Sequence, residues 1–128
     1  MYKYYNPNPT GRTTVGDCSI RAVSKALGID WEDAYALIAV NGFRMGDVIS
    51  SNAVWGSALR MRGFKRENLP NYCPDCYSIR EFARDNPVGT YVVGTQNHVV
   101  TIIDGDWYDS WDSGDEIPLY YWTKKGER

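Results

Sequence analysis

Between residues 19 and 27 the apolar side chains Ile20, Val23 and Leu27 recur at helical spacing, and Gly28 follows as a natural C-terminal stop. The pattern predicts a first helix here. Ala22 and Ala26 lie one and two turns beyond Cys18 on the same side, small enough to let the helix approach a sheet closely. Asp30 is placed to cap a second helix over 31–40, with Trp31, Ala34, Tyr35 and Ile38 on one face and Asn41-Gly42 as its end. A third helix is expected over 51–62, with Val54, Trp55, Ala58, Leu59 and Met61 apolar and Gly63 closing it. After a loop over 67–76, Ser78 and Glu81 have capping-box spacing for a short helix, "IREFARD", which Asn86-Pro87 ends. The period then changes. "GTYVVGT", "HVVTIID", "WYDSW" and "PLYYW" are β-branched and aromatic runs divided by turn residues, which predict an antiparallel meander.

Helices first and strands last make an α+β fold in which N-terminal helices pack on a C-terminal antiparallel sheet. Residues 1–128 read as one domain, without repeats or linkers. The first 17 residues carry Pro7, Pro9, Gly11 and Gly16 and are expected to be extended or turned. Composition alters this picture little: 43% hydrophobic and 23% charged residues are ordinary, whereas 14% aromatics suggest a stacked surface or groove. A net charge of −2 with scattered Lys and Arg disfavours nucleic acid as a partner. No apolar run reaches membrane-spanning length and the first residues lack the core of a signal peptide, so a cytoplasmic protein is expected. Three cysteines, an odd number, suit a reducing compartment.

Cys18 stands at the start of the first helix, where the partial positive charge of the helix end lowers a thiol pKa. It lacks a base nearby, and the sequence offers a single imidazole, His98. Asp104-Gly105 is a strong type I′ hairpin signal. With those two residues as the loop, Ile103 pairs with Asp106 and His98 lies opposite Trp111. His98, Val100, Ile102, Trp107, Asp109 and Trp111 then share a face. Asp109 becomes the diagonal neighbour of His98, about 7 Å away at the backbone, and is the candidate to orient the imidazole while Trp111 shields the pair. Asp112 points to the other face in this register, and Asp106 lies near the turn. Nucleophile, general base and orienter are thus Cys18, His98 and Asp109.

The order and spacing of these residues resemble the papain-like cysteine peptidase superfamily, above all small members such as bacteriocin-leader peptidases. "DCSIRA" surrounds the nucleophile and "HVVTIIDGDWYDSW" the base and acid. "GDCSIRAVSKALGIDWEDAYALI" and "EIPLYYW" further resemble small bacterial and bacteriophage proteins. The resemblance implies a papain-like fold and a thiol hydrolase of peptide or other amide bonds, acting on a peptide or protein without cofactor. It also implies a glutamine six residues before the cysteine as an oxyanion donor. Arg12 stands there instead, leaving the Cys18 N–H as one donor and Asn6, Asn8 or Gln96 as substitutes for the second. Asp17, Gln96 and Trp111 are the expected oxyanion or substrate contacts. The same triad supports acyl transfer or glutamine deamidation. The alternative of another class is a catalytically idle peptidase fold that binds a phage or host partner through its aromatic face.

Other motifs read as structural. Cys73-Pro-Asp-Cys76 is half a zinc site at most, without a second pair of ligands, and lacks a thioredoxin-like context; a loop-lining pair is expected. The acidic string "DGDWYDSWDSGDE" lacks calcium-loop spacing. No metal site is expected. Arg21, Arg44, Arg60 and Arg62 are read as solvated, with Arg21 placed to steer a substrate carboxylate.

Overall fold

The first helix, α1 (Cys18–Leu27), forms where the apolar spacing places it, and Gly28 ends it in the left-handed region at φ 67°. It is followed by α2 (Trp31–Met45), capped by the Asp30 carboxylate on the Asp33 N–H, and α3 (Asn52–Arg60). The computed structural model describes residues 1–69 and 77–124. In chain order the remaining elements are β1 (Tyr2–Tyr4), β2 (Phe64–Asn68), α4 (Ile79–Asp85), β3 (Thr90–Gly94), β4 (Val99–Ile103), β5 (Asp106–Asp109) and β6 (Tyr120–Lys124). Among the described residues, four helices and a six-stranded sheet make the expected α+β architecture.

The bounds of α2 and α3 differ from expectation. Helix α2 does not stop at Asn41-Gly42 but continues to Gly46, which supplies the left-handed stop at φ 68°. Packing overrides the local turn signal: Asn41 is buried and donates to the Ser57 hydroxyl at 2.9 Å. Gly42 sits so close to α3 that a Cβ there would lie 3.3 Å from Val54 Cγ1. Helix α3 is shorter than expected at both ends.

The sheet order is β1-β5-β4-β3-β6-β2, which is no simple meander. The "PLYYW" strand, β6, inserts between β3 and β2 rather than following β5, pairing Gly94 with Tyr120 and Val92 with Trp122. The outer side of β5 is occupied by β1, running parallel to it. Strand β2 lies between the expected third helix and the expected loop, and takes in the first two residues of that loop. Its sequence, "FKREN", buries only Phe64 and carries charges suited to an edge strand, so it lacks the alternation of a half-buried one.

The β4–β5 hairpin matches its expected register, with Ile103 paired to Asp106 and Ile102 to Trp107. Asp104 at φ 50° and Gly105 at φ 84° both occupy the left-handed region that a type I′ turn demands. Val100, Ile102 and Trp107 face one way, under Ile79, Phe82 and Ala83 of α4. Val92, Val99, Tyr120 and Trp122 face the other, against Ile20, Val23, Ile38, Trp55 and Leu59 of α1–α3. Strands covered on both faces read as continuous apolar runs, as "VVTII" does. Helix α1 approaches β4 closely: the Thr101 hydroxyl donates to the Ala22 carbonyl at 2.7 Å. Among the described residues, no helix is long and apolar enough to cross a membrane.

Candidate active site

Cys18 is the first residue of α1, and Asp17 at the N-cap gives that helix no side-chain cap. The Asp17 carboxylate turns inward instead. It accepts from Arg21 Nη1 at 2.8 Å, Trp31 Nε1 at 2.9 Å and Asn8 Nδ2 at 3.3 Å. Asp17 is therefore not a substrate or oxyanion contact; it is 2% exposed, with its oxygens spent on internal donors. The consequence falls on the thiol, which lies at a helix end whose positive pole no capping carboxylate neutralises.

His98 immediately precedes β4. Its carbonyl accepts from the Thr95 N–H at 2.8 Å across a tight turn, which fixes the ring's point of departure. The ring nitrogen Nε2 lies 2.6 Å from Asp109 Oδ2. The carboxylate accepts there, so Nε2 carries a proton and Nδ1 is left for Cys18. Trp111 covers the imidazole with ring centroids 4.8 Å apart while its own outer side is 45% exposed. The expected base, orienter and shield are thus brought together at the sheet end where β4 begins and β5 finishes.

Asp109 is fully buried and accepts from four groups: His98 Nε2, Arg21 Nη2 at 2.9 Å, the Ser113 hydroxyl at 2.6 Å and the Ser110 N–H at 2.8 Å. Arg21 is not solvated, as its sequence position suggested; it is 6% exposed and joins Asp17 to Asp109. The Asp17–Arg21 separation of one helical turn is a sequence signal for the first half of this bridge that the reading of Arg21 as solvated passed over. Ser113, in an irregular segment, gave none.

These contacts set the charge states. Burial alone would raise the Cys18 pKa, but the His98 side chain and charge, the Val99 N–H directed at the sulfur and Arg21 outweigh it and leave the thiol below its ordinary value. Burial would lower His98; hydrogen bonds and charge from Asp109 and Cys18 prevail and lift it to about 9. Burial likewise opposes ionisation of Asp109, yet its bonds from His98 and Ser113 and the nearby cations hold it below the ordinary carboxylate range. The thiol is thus made more acidic beside an imidazole that holds its proton more tightly, and a carboxylate backs the pair.

A cavity of about 250 Å³ opens beside the thiol, lined by Cys18, His98, Gln96, Asn97, Asn52 and Tyr120 among others. Gln96 stands where a substrate contact was expected. Asn6 and Asn8 do not: Asn6 Nδ2 donates to the Gly11 and Arg12 carbonyls, and Asn8 Nδ2 to Asp17. Arg12 is exposed and does not line the cavity. Asn52 was not anticipated. Its Oδ1 accepts from Trp55 Nε1 at 3.0 Å, which leaves its amide N–H groups as donors on the cavity wall. Cys73 and Cys76 lie outside the described residues, and no cluster of metal-ligating side chains occurs among the described ones.

Tyr120 shapes the far wall, with the end of its ring seated directly over Gly94. A methyl group at Gly94 would occupy the space of the Tyr120 phenol end. Gly94→Ala is expected to lower stability by about 1–3 kcal/mol through this overpacking, read as a shifted urea midpoint. Comparison of the chain with family models, curated proteins and solved structures finds no match in any of the three.

Proposed function

We propose that this chain is a papain-like thiol hydrolase that cleaves a peptide or other amide bond in a peptide or protein substrate, in the cytoplasm of a bacterial cell or a phage-infected one. What carries the reading is the chain of contacts from Cys18 through His98 to Asp109, with the thiol on an uncapped helix start and the imidazole lifted to about 9. A structural cysteine needs neither an acidified thiol nor a charged partner beside an open cavity.

In this scheme the Cys18 thiolate attacks the substrate carbonyl carbon. The resulting oxyanion is met by the Cys18 N–H and by an amide donor of Asn52 or Gln96. His98, holding its proton on Nδ1, gives it to the departing amine as the C–N bond breaks. The acyl-enzyme is then attacked by water, whose proton passes to His98, and the acid leaves as the thiolate reforms. Asp109 keeps the imidazole oriented and its charge balanced throughout. An amine in place of water would give acyl transfer by the same steps.

Thiol chemistry tests this directly. Limiting iodoacetamide near neutral pH should modify Cys18 well ahead of Cys73 and Cys76, as read by peptide mass spectrometry, and His98→Ala should remove that advantage. Uniform slow alkylation that ignores His98→Ala would sink the proposal. Ser113→Ala is a milder probe: losing a hydroxyl bond to a buried carboxylate should cost about 1.5–3 kcal/mol of stability, measured by thermal unfolding.

A further inference from the structure

The cleft does not end at the thiol. Asn52, Trp55 and Tyr120 line the cavity beside Cys18 and also a second one of about 240 Å³, whose other walls include Trp122, Arg60 and Arg66. Tyr120 forms part of the wall of both spaces, and its ring carries the Arg66 guanidinium on the side of the second one. The sheet order gives the direction. His98 belongs to the β4 side and Arg66 to β2, with β3 and β6 between them.

Three features of the second cavity point to an anion. The Arg66 guanidinium lies 4.2 Å from the Tyr120 ring centroid and that of Arg60 lies 5.0 Å from the Trp122 ring. Neither forms an ion pair with a carboxylate among the described residues. Arg66 spends one N–H group on Asn68 Oδ1 at 2.7 Å and keeps the rest. Trp122 is 3% exposed and forms part of the cavity wall beneath Arg60. Stacked guanidinium groups present their N–H edges in the fork that suits a carboxylate.

We infer that this second cavity is a specificity subsite that takes an acidic side chain of the substrate, held by Arg60 and Arg66 between the Trp55, Tyr120 and Trp122 rings. The inference rests on the thiol-hydrolase reading. The leaving amine must sit against His98, which protonates it, so the segment passing Tyr120 toward β2 is the acyl side. The subsite therefore selects Asp or Glu a short way before the cleaved bond.

The test uses pairs of N-acetylated peptidyl vinyl sulfones that differ only by Glu or Gln at the second or third residue before the warhead. The rate of Cys18 labelling is followed by intact mass. The Glu probe should label about tenfold faster than its Gln twin at one of these positions. That preference should shrink at high ionic strength and approach one in Arg60→Gln/Arg66→Gln, each protein's rates being taken against its own iodoacetamide rate. Equal Glu and Gln rates in the unmodified protein overturn the inference, as does a preference that survives the double substitution or high salt. So does failure of every vinyl sulfone while iodoacetamide modifies Cys18 quickly. Slow iodoacetamide modification of Cys18 is a different failure, which removes the hydrolase reading itself and this subsite with it.

Discussion

Arg21→Met should cost the fold about 3–5 kcal/mol, the expected loss when one member of a buried ion network is removed. The side chain replaced is buried and nearly isosteric in its stem, so lost packing contributes little. The cost comes from what remains: Asp17 and Asp109, both buried, each deprived of a guanidinium N–H. Urea unfolding of the two proteins measures the difference. Arg21→Met/Asp17→Asn should recover part of it, because Asp17 then needs no cation, and the double-mutant cycle isolates their coupling. Arg21→Lys should fall well short of the parent, since one ammonium cannot span two carboxylates on opposite sides of a planar fork. Arg21 also helps hold the Asp109 carboxyl down, so its loss should weaken the support of the imidazolium. A midpoint unchanged within error would mean that the network contributes nothing net.

The second large effect concerns pH and His98. Alkylation requires only the thiolate, whereas hydrolysis requires the thiolate and a protonated His98 together. With the thiol below its ordinary value and His98 near 9, hydrolysis should follow a bell whose alkaline limb falls through about pH 9. Alkylation should show the acid limb alone and stay high above it. His98→Ala should lower hydrolysis by about 10²–10⁴-fold and move the acid limb of alkylation up toward the ordinary thiol range. Identical pH profiles for the two reactions would remove His98 from the role of acid.

The same shifts act on stability with opposite signs. His98 is raised from 6.5 to about 9, so its contribution is complete below 6.5 and fades as pH rises through 9. Cys18 and Asp109 are lowered, so theirs are present above their ordinary values and are lost as pH falls through the depressed ones. Asp109 and His98 together thus favour neutral pH, while the Cys18 contribution grows over the same alkaline range in which that of His98 fades.

Much of the site was legible because one turn fixed it. Asp104-Gly105 admits a single short loop geometry, and that geometry alone sets Ile103 against Asp106 and brings His98 to Asp109 and Trp111. Helix α1 was equally plain, its stop written by Gly28. Local signals failed wherever distant packing decides. Asn41-Gly42 looks like a turn until α3 lies across it, and "FKREN" looks like loop until β6 offers an edge. Strand β6 lies beside β3 while β1 holds the outer side of β5, an arrangement between distant segments that no property of "PLYYW" records. Arg21 was misplaced for a related reason. A charged residue on a short helix is ordinarily solvated, and only the arrival of Asp109 from β5 makes its burial affordable.

The order of synthesis gives the Cys18 site a temporal character. Cys18 is made long before His98, Val99 and Asp109, so an emerging chain carries a thiol of ordinary acidity. The groups that lower its pKa come into place only when β4 and β5 dock beneath α1, and β1 cannot pair until β5 exists. A pulse of alkylating agent during refolding would read the moment of docking directly, as the time at which Cys18 turns fast.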